Sequence, residues 1–181
     1  MIQGKQQQRA AAIAARAGQD PALGVHLAGR LLAGWRFRPC SVIAGFWPLA
    51  GEIDIRPLLL VLAGRGHPVV LPVTPARGNP LSFQRWQPGD VLRRERFGTV
   101  RPFGEPMVPD LLLVPLLAFD GECRRLGYGG GFYDRTLAGL PGRTAIGCAF
   151  AAQQVDRVAA EAHDIPLQAV ATERGLMLPK D

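Results

Sequence analysis

Between positions 125 and 134 the chain reads Arg125-Leu126-Gly127-Tyr128-Gly129-Gly130-Gly131-Phe132-Tyr133-Asp134, residue types that suit the capture of a phosphate. The four glycines permit positive φ and remove side-chain bulk, so consecutive backbone N–H groups can converge on an anion just ahead of a helix. Asp134, in the first turn of that helix, can hold a magnesium ion through one carboxylate oxygen while phosphates and water supply the other ligands. A first-turn acid also answers the helix dipole, so Asp134 alone decides nothing. Arg125 carries a rigid fork that matches phosphate oxygens, whereas Arg124 is a candidate for a water-facing charge. No Gly-Lys-Ser or Gly-Lys-Thr follows, and the Gly-x-Gly-x-x-Gly spacing of dinucleotide folds is missing. By themselves these glycines would serve a plain tight turn equally well.

The elements around this run must hold it at the tip of a strand. Residues 111–119 are apolar on both faces, as a parallel strand covered by helices requires, and residues 132–140 read as the helix after the loop. Upstream, residues 6–17 and 22–35 read as helices, the second opened by Asp20 as cap and Pro21 at the first helical position. A β-α-β unit follows: a strand over 42–47, a helix capped by Asp54 through 62, and a strand over 69–74. Residues 144–150 and 168–172 are two further strands. The stretch from Pro75 to Pro109, dense in proline and glycine, reads as an irregular excursion with a hairpin around Gln87-Pro88-Gly89-Asp90, a flap or functional loop. Alternating strands and helices imply a mostly parallel sheet with helices on both faces, and ligands in such sheets sit outside the carboxyl ends of the strands.

With 181 residues, 48% hydrophobic and 20% charged, the chain fits one folded domain spanning residues 1–181 and excludes disordered or collagen-like classes. No apolar run reaches the roughly 18 residues of a membrane-spanning helix, and the polar, Gln-rich start from Met1 to Arg9 does not read as a secretory signal, so a cytoplasmic location is expected. Cys40, Cys123 and Cys148 are odd in number and widely spaced, which predicts reduced core thiols and no disulfide framework. The net charge of +6 rests almost wholly on arginine, since Lys5 and Lys180 are the only lysines. Its arginines are scattered except over 93–96, a distribution that fits a nucleotide or polyanionic small substrate as well as a nucleic acid, while any single one of them reads first as a solvated surface charge. Only Ser41 and Ser82 are serines, neither in a nucleophile-elbow setting, and His26 and His67 form no metal cluster.

The Arg125–Asp134 run, preceded by Leu113-Val114-Pro115-Leu116-Leu117-Ala118-Phe119-Asp120, resembles the 5-formyltetrahydrofolate cyclo-ligase family. Three further blocks occur in the family's order: Lys5-x-x-x-Arg9 with Arg16, Gly51-Glu52-Ile53-Asp54, and His163-Asp164-Ile165-Pro166-Leu167 followed by Ala171-Thr172-Glu173. The resemblance implies an α/β fold of three layers, α/β/α, with a mostly parallel central sheet of the NagB/RpiA/CoA transferase-like kind. It implies the ATP- and magnesium-dependent closure of 5-formyltetrahydrofolate to 5,10-methenyltetrahydrofolate, releasing ADP and phosphate. The γ-phosphoryl group would activate the formyl oxygen for attack by N10, with no protein nucleophile.

Carried over by position, Lys5, Gln6, Gln7, Gln8 and Arg9 would meet ATP together with the loop from Arg125 to Tyr133. Arg125 and Tyr128 would act in catalysis. Trp47, Glu52, Tyr128, Gly129, Gly130, Gly131 and Phe132 would contact the folate, and Asp134 and Asp164 would hold Mg2+. A carboxylate such as Glu52 suits a pterin edge that offers adjacent N–H donors. The partners implied are the two small substrates; no nucleic acid, membrane or obligate protein partner is expected. The chain departs from some members in having Tyr128 and Gly130 where basic residues stand, which shifts phosphate neutralisation onto Lys5, Arg9, Arg125 and magnesium. Gln168 stands where an acid is frequent. Two other readings compete: a related α/β enzyme acting on sugar phosphates or coenzyme A, which would need its own acid/base pair, and a non-catalytic folate- or RNA-binding module, for which loss of Asp134 or Lys5 would have spoken.

Overall fold

A computed structural model describes residues 4–161 and 164–179. His163 of the fourth sequence block lies outside the described residues. The chain opens with α1 (Lys5–Arg16), a 3-10 turn at Pro21–Leu23 and α2 (Gly24–Gly34). The Asp20 carboxylate accepts the Ala22 N–H at 2.9 Å, with Pro21 at the first helical position. Strand β1 (Ile43–Ala44) is followed by α3 (Arg56–Gly64) and β2 (Val69–Val73). The Asp54 carboxylate accepts the Arg56 N–H at 2.9 Å and clamps its guanidinium at 2.8 and 2.7 Å, fixing the start of α3. Downstream come β3 (Ser82–Trp86), β4 (Arg93–Arg94), β5 (Val100–Arg101), β6 (Leu111–Pro115), β7 (Ala118–Phe119), β8 (Arg125–Leu126), α4 (Phe132–Ala138), β9 (Thr144–Cys148), β10 (Ala169–Ala171) and β11 (Leu176–Met177).

Seven strands form the central sheet in the order β11-β10-β9-β6-β1-β2-β3, with β10, β9, β6, β1 and β2 parallel and both edges antiparallel. Side chains alternate between its faces. Ile43, Leu111, Leu113 and Ile146 pack with Leu27 and Leu31 of α2 and Leu58 and Leu62 of α3. Ala44, Leu112, Val114 and Ala145 face the other way, toward Leu137 of α4. Layers of helix, sheet and helix result, as the sequence implied. No described helix is long and apolar enough to cross a membrane.

Four expectations are corrected. The strand expected over 42–47 pairs only at Ile43 and Ala44; Phe46 and Trp47, apolar enough to extend it, turn out of the sheet toward a cavity. The strand expected over 111–119 breaks after Pro115, and Ala118–Phe119 joins a separate hairpin with Arg125–Leu126. At that break the Gln153 amide donates to the carbonyls of Leu116 and Leu117 at 2.8 and 2.9 Å, replacing ladder bonds. The excursion is not irregular throughout. It contributes edge strand β3, with Phe83 buried on one face and Trp86 on the other, and the small β4–β5 hairpin. A turn does form at Gln87–Asp90, closed by the Gln87 N–H on the Asp90 carboxylate at 2.8 Å, but its flanks do not pair with each other. The hairpin closes instead through Phe97 and Gly98, both with φ above +60°. Finally, Cys40 is an exposed thiol and not a core one.

Two outcomes test this packing. A Cβ at Gly24 would lie 1.7 Å from the Asp54 carbonyl oxygen, a backbone atom that cannot rotate aside. Gly24→Ala is expected to lose about 2–4 kcal/mol and to lower Tm by roughly 5–15 °C in calorimetry. A change under 2 °C would show that α2 does not dock there as described. The thiols give the second outcome. Burial, reinforced by the Asp120 charge, pushes Cys123 up to about 11, and burial pushes Cys148 higher still. Iodoacetamide at pH 8 should therefore label the native protein once, at Cys40, and three times in denaturant. A second rapid label in the native state would contradict the burial of the other two thiols.

Candidate active site

The chain runs from β1 outward to β2 and then returns to lay β6, β9 and β10 on the other side of β1. Outside the carboxyl ends of β1, β2 and β6, where this order switches, lies a cavity of about 790 Å³. Phe46 and Trp47 follow β1 into it, Thr74 follows β2, Pro115 ends β6, and the loop from Gly127 to Gly131 forms one wall.

Gly129 and Gly131 have φ of +93° and +65°, conformations that side chains other than glycine rarely adopt. Space matters there as well. A Cβ on Gly129 would stand 3.2 Å from the Arg9 guanidinium carbon, and one on Gly131 only 2.6 Å from Arg135 Nη1. Arg9 Nε donates to the Gly127 carbonyl at 3.0 Å and Arg135 Nη2 to the Gly130 carbonyl at 2.6 Å, so two guanidinium groups brace the loop through its oxygens. None of the five N–H groups from Gly127 to Gly131 meets an acceptor among the described residues, which leaves them available to an anion. Helix α4 is only seven residues long, so the loop and its arginines, more than a helix terminus, are what this wall offers an anion.

Charge is arranged in pairs around the cavity. Lys5 Nζ lies 2.8 Å from Asp164 and 3.1 Å from Glu161, and these bonds hold the ammonium above its ordinary value although partial burial opposes them. Arg125, only 8% exposed, pairs with Asp134 at 2.5 Å and donates to the Ile165 carbonyl. The Ile165 N–H reaches the same Asp134 oxygen at 3.4 Å, which ties the segment after Asp164 to the glycine wall. On the folate side expected from sequence, Glu52 is 6% exposed. Its Oε2 accepts the Leu49 N–H at 2.8 Å and its Oε1 accepts the Tyr128 hydroxyl. Burial, then the Glu52 charge, push the Tyr128 hydroxyl well above its usual range; Arg16 partly offsets them.

Residues 5–173 match the 5-formyltetrahydrofolate cyclo-ligase family. The chain belongs to that family. A cyclo-ligase from Escherichia coli is 34% identical over 85% of this chain and 90% of its own length. One from Haemophilus influenzae is 36% identical over 72% and 74% respectively. Among solved structures, the 5,10-methenyltetrahydrofolate synthetase of Aquifex aeolicus aligns with a TM-score of 0.81 at 28% identity, covering 98% of this chain and 93% of that one.

Most residues that the cyclo-ligase blocks assign to ligands line this one cavity: Lys5, Gln6, Arg9, Trp47, Glu52, the whole run from Arg125 to Asp134, and Asp164. Gln7 and Gln8 do not. Gln7 faces solvent, and Gln8 bonds the Arg157 carbonyl and the Ala159 N–H, both at 2.9 Å, fastening α1 to the neighbouring loop. Trp47 packs edge-on against Trp86 at 6.0 Å and also faces the cavity. Gln168, at the position where an acid is frequent, accepts the Ala145 N–H through its amide oxygen.

Sequence reasoning missed Glu161 and the contribution of the excursion, which brings Arg77, Leu81, Phe97, Thr99 and Val100 to the cavity. Phe97 sits 6.3 Å from the Phe132 ring, with the Arg77 guanidinium 5.7 Å from its own centroid. Only the length of the excursion hinted at this, because Arg77 read as one of many scattered charges. The acids are suited to the magnesium that the family implies. No cluster of three metal-binding side chains exists among the described residues; Asp134 and Asp164 both line the cavity, where each could give one carboxylate to an ion held mainly by phosphates.

Proposed function

We propose that this protein closes 5-formyltetrahydrofolate to 5,10-methenyltetrahydrofolate with ATP, in the cytoplasm, and that Arg125, Tyr128 and the residues lining the cavity are its working parts. One observation carries the reading. The glycine wall with its cations and the buried Glu52 open onto the same cavity, whose volume of about 790 Å³ suits two ligands meeting end to end. A formamide oxygen is a poor leaving group, and its phosphorylation makes a carbon that N10 can attack. Such a transfer needs alignment and charge neutralisation more than a protein nucleophile.

Lys5 and Arg9 approach the nucleotide phosphates from α1, and the N–H groups of Gly127 to Gly131 receive the transferring group. Arg125, fixed by Asp134 and the Ile165 carbonyl, directs its remaining N–H donors at the charge that develops there. Asp134 and Asp164 would hold magnesium, which when bound would supply charge neutralisation to the nucleotide. Glu52 takes the pterin N–H groups, while Trp47 and Phe132 flank the ring and keep water from the activated carbon.

Purified protein mixed with 5-formyltetrahydrofolate and MgATP is expected to form methenyltetrahydrofolate, followed by its near-ultraviolet absorbance. No product with ATP, or equal product without it, would overturn the assignment.

A further inference from the structure

Lys5, Arg9, Ala12 and Arg16 fall at i, i+4, i+7 and i+11 of α1, one face of the helix. The first two line the cavity and Ala12 is buried against Leu117, Ala118, Leu126 and Val158. Arg16 is not a cavity residue. It sits 11 positions beyond Lys5, about 16 Å along the axis at 1.5 Å per residue, and reaches the opposite end of the site. There its Nη1 donates to the Tyr128 hydroxyl at 2.6 Å, and its guanidinium carbon lies 5.5 Å from the Tyr128 ring centroid. The Tyr128 hydroxyl in turn donates to Glu52 Oε1. These links join residues 112 and 76 positions apart in sequence.

The chemistry of this chain of bonds is directional. A phenol has one proton; with Arg16 donating into its oxygen, that proton is committed to Glu52. With Leu49 N–H on Oε2, both carboxylate oxygens are pinned, and each keeps a lone pair for a substrate donor. The other end of the same helix holds the cations assigned to the nucleotide, and Arg9 also grips the Gly127 carbonyl, next to Tyr128. Any shift of α1 or of the glycine wall would therefore be transmitted to Tyr128 and its bond to Glu52.

Resting on the proposed function, we infer that Arg16 is a positioning residue which, through Tyr128, couples the nucleotide end of the cavity to the folate-receiving Glu52, so that the two substrates bind cooperatively.

Dissociation constants for 5-formyltetrahydrofolate are measured by calorimetry with and without the magnesium complex of the non-hydrolysable analogue β,γ-imido-ATP. In the wild-type protein the analogue is expected to tighten folate binding about fivefold or more. Arg16→Gln and Tyr128→Phe should each bring that ratio to within about twofold of unity, and the double variant should be no worse than either single one. Tyr128→Phe removes one hydroxyl from a half-exposed ring, so it keeps the test open should Arg16→Gln fold poorly. Variants that retain the wild-type ratio, or a wild-type ratio near one, would overturn the coupling while leaving the functional reading intact. A wild-type protein that binds no folate would overturn both.

Discussion

Replacement of Asp134 by asparagine is expected to lower kcat by a factor of about 10² to 10³, with a weaker dependence on magnesium and an unchanged near-ultraviolet circular dichroism spectrum. The substitution keeps the side chain's volume and removes its charge. Two consequences follow from the geometry. The proposed magnesium would lose a carboxylate ligand, and Arg125, whose side chain is 5% exposed, loses the partner 2.5 Å away. Leaving a buried guanidinium unpaired would cost about 3–5 kcal/mol in a dry interior. Asp134 is 26% exposed and the Ile165 carbonyl remains, so about 1–3 kcal/mol is the reasonable expectation. Turnover within threefold of wild type would remove Asp134 from the chemistry.

Glu52→Gln should act on the other substrate. The carboxylate receives both the Leu49 N–H and the Tyr128 hydroxyl, and an amide offers only one oxygen to those two donors. One buried donor then faces an NH2 group, and the pterin loses a charged acceptor. Each charge-assisted hydrogen bond contributes about 1.5–3 kcal/mol, so folate affinity is expected to fall about 10- to 100-fold. Nucleotide affinity, measured without folate, should stay within about twofold of wild type. Weakened nucleotide binding with folate binding intact would reverse the assignment of the two ends of the cavity.

What could be read from sequence was what is local. Helices α1 and α2 announce themselves through good helix formers, an apolar face and the Asp20-Pro21 start, and the observed bounds differ by a residue or two. The glycine run was legible because glycine in such density is itself a backbone statement, later visible as positive φ at Gly129 and Gly131. Edge strand β3 was hidden: its pairing with β2 is a tertiary contact, and Phe83 and Trp86 are buried on opposite faces, which erases any alternating pattern. Phe46 and Trp47 misled for a related reason. An apolar residue that lines a ligand cavity has the same composition as one that fills a core, so the apolar run continues past the end of the strand. Pairings such as Lys5 with Asp164, 159 positions apart, leave no trace in either partner's neighbourhood. The same holds for the contacts of Arg16.

The most direct test of the shared cavity is a crystal structure with β,γ-imido-ATP, magnesium and 5-formyltetrahydrofolate bound together. The nucleotide's terminal phosphate should lie against the N–H groups of Gly127 to Gly131, with the folate's pterin on Glu52 and its formyl oxygen facing that phosphate. Nucleotide density elsewhere on the protein, with the glycine wall bare, would contradict the proposed site.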